Sequence, residues 1–335
     1  RDRLTGFERT TMGDLLVAAG LPVDPDPRPE QNYYERSDNI AFARQGIPAH
    51  TLSTFGEHSQ YHTPDDESEL ADREHMQAIA DLAALASGLR NPADIDQSVH
   101  ATRTGIKRLR AFVRLARASI GEEIYRYENR SLRDAARLIA PARDARVLIE
   151  TAESESAPPT VLAALGRAHA AAIEELESGV RLETVRLLES ATDRWKRLAW
   201  NGPPISSIRA GLGATYRRAR ADHATVLAEP TDVSFHGWRR RVKYVRYQLE
   251  AIAAPDEIVT PYTTLGDDLG LEHDHTELIG VCSDVPDDAA FTALAHRSTA
   301  RRAMLRSRAL DIGSRLFAVD PDAFVNSIGT SVALG

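Results

Sequence analysis

The residues with the clearest chemical purpose occur twice. From His100 the chain reads HATRTGIKRLRAFV, and from His236 it reads HGWRRRVKYVRYQL. Each segment sets an arginine three residues after the histidine, a lysine at seven and a second arginine at ten. The first set is His100, Arg103, Lys107 and Arg110; the second is His236, Arg239, Lys243 and Arg246. At about 100° per residue, a helix gathers four such positions within roughly 80° of one another. Arginine offers paired donors that fit phosphate oxygens, and lysine offers a compact point charge. Histidine adds a donor that gains charge as pH falls. The chemistry these types support is the holding of an extended, phosphate-like anion.

The helices that carry these columns are legible in the same segments. Ile106, Leu109 and Val113 repeat as Val242, Val245 and Leu249, on a stripe roughly a quarter to a third of a turn from the basic column. Each helix is thus expected to bury one side and present the other. Arg114 extends the first column where the second has Glu250, and two of the chain's three lysines occupy the equivalent position. Like charges spaced three and four apart repel. A solvated basic face is the plain alternative, but the duplication with a fixed histidine favours a built groove. Arg133, Arg137 and Arg143 follow the first segment, and Tyr216, Arg217, Arg218 and Arg220 precede the second. Asp144 and Asp274 lie in related contexts, IAPARDARVLI and LGLEHDHTELI, and are expected to brace basic neighbours. Adjacent helical residues diverge, so His273-Asp274-His275 is not expected to hold a metal.

Composition bounds the rest. The net charge of -8 conceals an asymmetry: residues 1–97 hold 8 basic and 18 acidic residues, the remainder 33 and 31. The acidic whole-chain balance therefore does not exclude an anionic partner. No apolar run reaches the ~18 residues of a spanning helix, so no membrane partner is expected. A single cysteine, Cys282, leaves no internal disulfide and fits a reducing compartment.

The chain changes character near residue 98. Before it, the reading is α/β: a helix at Met12–Ala19, an acidic, proline-rich loop at Asp24–Pro29, a short helix at Asn39–Gln45 and a buried strand at Ala49–Thr54. A polar loop at Phe55–Ser68 and a helix at about Asp72–Leu89 complete that region. Residues 93–97 read as a linker. Beyond them, long stretches rich in Ala, Leu, Arg and Glu predict helices, broken at Pro158-Pro159, Gly202-Pro203-Pro204, Pro230 and Pro255. The expected fold is mainly α, a pair of similar helical bundles over residues 98–332, preceded by a small α/β part over residues 1–92.

Segments VHATRTGIKRLRAFVRL, APARDARVLIE, YRRAR, FHGWRRRVKYVRYQLE and RALDIGSRLF resemble the conserved histidine α-helical domain, or CHAD, family. The resemblance implies two similar four-helix halves around a basic cavity that binds inorganic polyphosphate. Carried over by position, His100, Arg103, Lys107, Arg110, His236, Arg239, Lys243 and Arg246 line that cavity, with Arg114, Arg143, Arg217 and Arg218 as further contacts. No cofactor is implied, and the expected location is the cytoplasm, with polyphosphate granules as a destination. The short approach to His100 departs from the family, so the first helix is expected to start late or be truncated.

A second resemblance covers YYERSDNIAFARQGIPAHTLSTFGEHSQYHTPDD, which is similar to the C-terminal end of the di-zinc aminopeptidases and related metallo-exopeptidases. It implies that His62 is a zinc ligand and that the Tyr61 hydroxyl supports a tetrahedral intermediate. A two-metal site needs several further His and carboxylate ligands and a carboxylate base. In that family they come from upstream strands, so the segment reads as a remnant and no catalytic site is expected to be complete. Zinc enters only if the upstream part is present.

Three alternatives stand beside polyphosphate binding. A metallo-exopeptidase requires the upstream ligands. Polyphosphate hydrolysis in a triphosphate tunnel requires a Glu-x-Glu-x-Lys segment, which the chain lacks. Nucleic acid shares the phosphate chemistry, but with aromatics at 6% and no stacking platform it is the weaker partner.

Overall fold

A computed structural model describes residues 2–19, 23–37, 39–53, 73–198 and 205–332. The chain divides into two compact units, Arg1–Ala71 and Asp72–Gly335.

The first unit contains β1 (Asp2–Leu4), α1 (Met12–Ala18), β2 (Val23–Pro25), α2 (Tyr33–Arg36), α3 (Asn39–Ala43) and β3 (Leu52–Ser53). The strands form a sheet of order β2-β1-β3, with β1 parallel to β2 and antiparallel to β3. The helices at Met12 and Asn39 and the strand near Leu52 match the sequence reading. Strands β1 and β2 were not legible, because three residues are too few to show alternation. Part of the expected proline-rich loop is β2, ending on Pro25 at a sheet edge, where its missing N–H leaves no ladder bond unmade. Buried Asn39 pins this unit together. Its Oδ1 accepts from the Thr51 hydroxyl at 2.8 Å, and its amide donates to the carbonyls of Tyr34 and Ala49.

The second unit is helical: α4 (Arg73–Arg90), α5 (Ile95–Leu115), α6 (Arg117–Ile120), α7 (Glu122–Leu138), α8 (Ala140–Ser154), α9 (Pro159–Glu175), α10 (Arg181–Lys196), α11 (Ile205–Ala228), α12 (Asp232–Ala251), α13 (Asp256–Ser283), α14 (Ala289–Leu316) and α15 (Pro321–Val332). The expected breaks before Pro159, at Pro230 and at Pro255 all separate helices. Another lies at Leu176–Val180, where Gly179 takes φ 133°, a conformation that side chains with a Cβ resist.

Two corrections follow from packing. Helix α4, read as the end of the α/β region, belongs to the helical unit. Ala78, Leu82, Ala86 and Leu89 are buried in one core with Val99, Ile106 and Leu109 of α5 and with Val185 and Leu188 of α10. An apolar stripe states that a helix is buried but not against which partner. The helical unit therefore starts before residue 98, and α4 supplies the helix that the approach to His100 seemed to lack. The linker is also shorter than expected. Asp94 caps α5, accepting from the Gln97 N–H at 3.0 Å, so residues 95–97 are helix.

Each histidine helix roots its apolar stripe in its own core. Ile106, Leu109 and Val113 join α4, α7 and α10, whereas Val242, Val245 and Leu249 join α11, α13 and α15. A third core ties α8 and α9 to the end of α13 and the start of α14. On its far side, α13 is clamped to α14 by buried acids: Glu272 accepts from Arg306 Nε at 2.8 Å and Asp268 from Arg308 Nε at 2.6 Å. Leu82→Ala is expected to destabilise the full chain by about 2–5 kcal/mol through the cavity it leaves. Asp94→Ala should cost about 1 kcal/mol through the lost cap. Urea unfolding of the two variants measures both.

Candidate functional site

The two basic columns converge because α5 and α12 pack against each other. Gln248 fixes the contact by donating its amide to the Ala111 carbonyl at 3.3 Å. Arg114 reinforces it: the guanidinium lies 4.2 Å from the Tyr244 ring centroid and donates to the Tyr244 and Tyr125 hydroxyls at 3.3 and 3.0 Å. Helix α8 packs on α5, and α13 packs on both α12 and α8, so four helices surround the columns.

Lys107 and Lys243 occupy the middle of this meeting point. Burial, with Arg103 and Arg239 adding repulsion, pushes the Lys107 amine down to about 8. Burial, with Arg239 and Lys107 acting together, pushes Lys243 down to about 7. Among the described residues, no hydrogen bond or ion pair engages either amine. Arg239 Nε is likewise buried without a partner. A cationic donor taken from water and left unsatisfied, as Arg239 Nε is, carries a standing cost, which an anion would relieve.

Two acids limit that cost. Asp144 on α8 receives Arg103 at 2.6 Å, and Arg103 also donates to the Ala140 carbonyl. Asp274 on α13 faces Arg239, Lys243, Arg143 and Lys107; burial raises its carboxyl and those cations pull it back. The bracing expected of Asp144 is this ion pair with Arg103; among the described residues Asp274 makes no hydrogen bond or ion pair and acts on the cations through its field. Asp274 belongs to the cluster itself, which its context alone did not reveal. His273 was also missed as a wall residue. Its ring lies 4.9 Å from that of His236, and burial, followed by Arg239 and His236, pushes it down to about 3.

The histidines differ from the charge-gaining role read from their type. Burial pushes His100 down, with Arg143 next, and burial pushes His236 down with Arg239 and Arg240. Both are therefore neutral at pH 7. They offer a ring donor rather than a charge.

The other expected contacts are distributed less evenly. Arg110 donates to Asn129 at 3.1 Å beside Arg114. Arg143 is paired with Glu150 at 3.2 Å. Arg246 is held by Glu250 at 2.7 Å and Asp267 at 2.9 Å, so its charge is largely spoken for. Arg217 and Arg218 are exposed on α11, flanking its buried Tyr216 and Ala219. Arg217 approaches Asp322 of α15 at 3.8 Å, and neither residue is among the charges acting on the two lysines.

The CHAD domain family model matches residues 75–283, more than half of the chain. The chain belongs to the CHAD domain family. The crystal structure of the CHAD domain from the plant Ricinus communis matches with a TM-score of 0.54 at 17% identity, over 73% of this chain and 89% of that one. An identity that low supports the fold alone. No curated protein matches the sequence. Residues 5–87 match the Peptidase family M28 model, which overlaps the CHAD match in α4. Packing places that helix in the CHAD unit.

The peptidase-like residues Tyr61 and His62 lie outside the described residues. His50, within them, has both ring nitrogens engaged: Nδ1–H donates to the Thr5 carbonyl at 3.0 Å and Nε2 accepts from the Thr10 hydroxyl at 2.7 Å. No group of three metal-ligating side chains occurs among the described residues, so these residues do not fit a zinc centre.

The CHAD cluster carries a linkage to stability. Lys243 has a folded value near 7 against an ordinary value of 10.5, so the unfolded chain binds more protons between those values. Stability from this group therefore rises with pH across that window. Lys243→Met is expected to raise the thermal midpoint at pH 6.5 by several degrees, with the advantage shrinking towards pH 9.5. Calorimetry of the ligand-free chain at the two pH values checks it.

Proposed function

We propose that the CHAD unit binds inorganic polyphosphate between α5 and α12, and that this binding directs the chain to polyphosphate granules. The observation that carries the reading is the convergence of Lys107, Lys243 and Arg239 with unpartnered donors in one partly buried cluster. Arg103 and Arg143 add charge at its edge, and Asp144 and Asp274 hold the cluster together until an anion arrives. In this reading the two columns are copies of one binding element. A linear polyanion suits them because like charges repeat along each helix.

In this reading the site binds its anion without a cofactor and without cleaving it. Nucleic acid meets the same cations only through its phosphates. Competition at equal phosphate concentration is expected to favour polyphosphate over DNA. A second reading rests on the Peptidase family M28 match of residues 5–87. In it the first unit contributes to a di-zinc aminopeptidase-like exopeptidase, with His62 as one ligand. Its test is zinc-dependent release of N-terminal residues by a protein that also carries upstream sequence.

Alanine at Arg103, Lys107, Arg239 and Lys243 together is expected to abolish binding of long-chain polyphosphate. Charged hydrogen bonds are worth about 1.5–3 kcal/mol each, so the quadruple variant should lose more than about 1,000-fold in affinity. Wild-type affinity should also fall steeply with salt, by the counterion release seen with other polyanions. Isothermal titration at several salt concentrations, with circular dichroism as the folding control, measures both. Unchanged affinity in a folded quadruple variant overturns the reading.

A further inference from the structure

Lys107 and Lys243 face a mixed electrostatic wall. From α5 comes Arg103, and from α12 Arg239. Helix α8 contributes Asp144, and α13 contributes Asp274, Asp267 and His273. The acids are partly committed: Asp144 to Arg103, Asp267 to Arg246, and Asp274 to a field dominated by Arg239. Gly270 on α13 lets Lys243 pack closely against that helix, its Nζ 3.7 Å from where a Cβ would stand. Each lysine is therefore crowded by cations and, among the described residues, without a hydrogen-bond or ion-pair partner.

We propose that Lys107 and Lys243 form a proton-accepting pair, so that the site binds its polyanion together with protons taken up from solution. The proposal rests on the polyanion reading above and adds its regulation: affinity is governed by pH around and above neutrality. In the free protein, burial and the neighbouring cations hold the two amines near 8 and 7. An anion within hydrogen-bonding distance favours the charged form and moves both values up. Below about pH 7 both amines are already charged, and binding takes up few protons. Above about pH 8 both are neutral in the free chain, and each must be recharged on binding. Affinity then falls by up to about tenfold per pH unit for each lysine, until the values of the bound state are reached. Burial pushes His100, His236 and His273 downward, away from this window.

The lysine content makes the test direct. The chain has three lysines, and the third, Lys196, is exposed at the end of α10 and serves as the internal reference. In the full chain labelled with 13C at lysine Cε, two of the three resonances are expected to titrate between about pH 6 and 9. Both should shift to higher pH when long-chain polyphosphate is added. Calorimetry near pH 8, in buffers of different ionisation enthalpy, should report uptake of one to two protons per site. Lys107→Arg with Lys243→Arg retains the charge and cannot release it, so whatever affinity that variant keeps should come with no proton uptake and stay flat from pH 6.5 to 9. All three lysines titrating together in the free chain, or uptake undiminished in the double arginine variant, overturns the proposal. Early titration of two amines with no binding of polyphosphate at any pH supports the pair and overturns the ligand reading instead.

Discussion

The structure of the helical unit turns on bringing two cationic helices into contact. Helices α5 and α12 each carry a column of arginine and lysine, and by Coulomb repulsion they should part. They are held by forces that act elsewhere on their surfaces. Ile106, Leu109 and Val113 anchor one helix in one core, and Val242, Val245 and Leu249 anchor the other in a second. Between them, Arg114 donates to tyrosine hydroxyls and lies on an aromatic face, and Gln248 donates to a backbone carbonyl. Apolar burial and hydrogen bonds to neutral acceptors offset a repulsion that the columns alone could not sustain. The depressed lysines record their burial first and, after it, the repulsion that is left over.

This balance separates the basic residues into two kinds. Arg246, Arg143 and Arg103 have carboxylate partners and help hold the framework. Among the described residues, Lys107, Lys243 and the Nε of Arg239 have none. A protein that only needed a soluble surface would expose such groups. Here they are partly withdrawn from water, which costs stability and strengthens any anion contact made there.

Much of this could be read from residue spacing. The repeated offsets placed the columns on one helix side and the stripes on another, and both stripes are buried as that geometry requires. Other features depend on three-dimensional neighbours that spacing does not encode. Helix α4 carries the apolar pattern of any half-buried helix, so its place beside α5 and α10 was not visible. Asp274 looked like a local brace, yet it sits among cations contributed by three other helices. Arg217 and Arg218 shared the composition of the site but flank the buried side of α11, a matter of rotation about its axis. In the first unit, β1 and β2 are too short to leave a pattern, whereas buried Asn39 is intelligible once Thr51 and Tyr34 are seen around it.

A structure of the chain bound to a polyphosphate of defined length tests the proposed place of binding most directly. Phosphate groups are expected between α5 and α12, within hydrogen-bonding distance of Lys107, Lys243 and Arg239. Phosphates bound instead along the exposed Arg217 and Arg218 face of α11, with that cluster empty, contradict it.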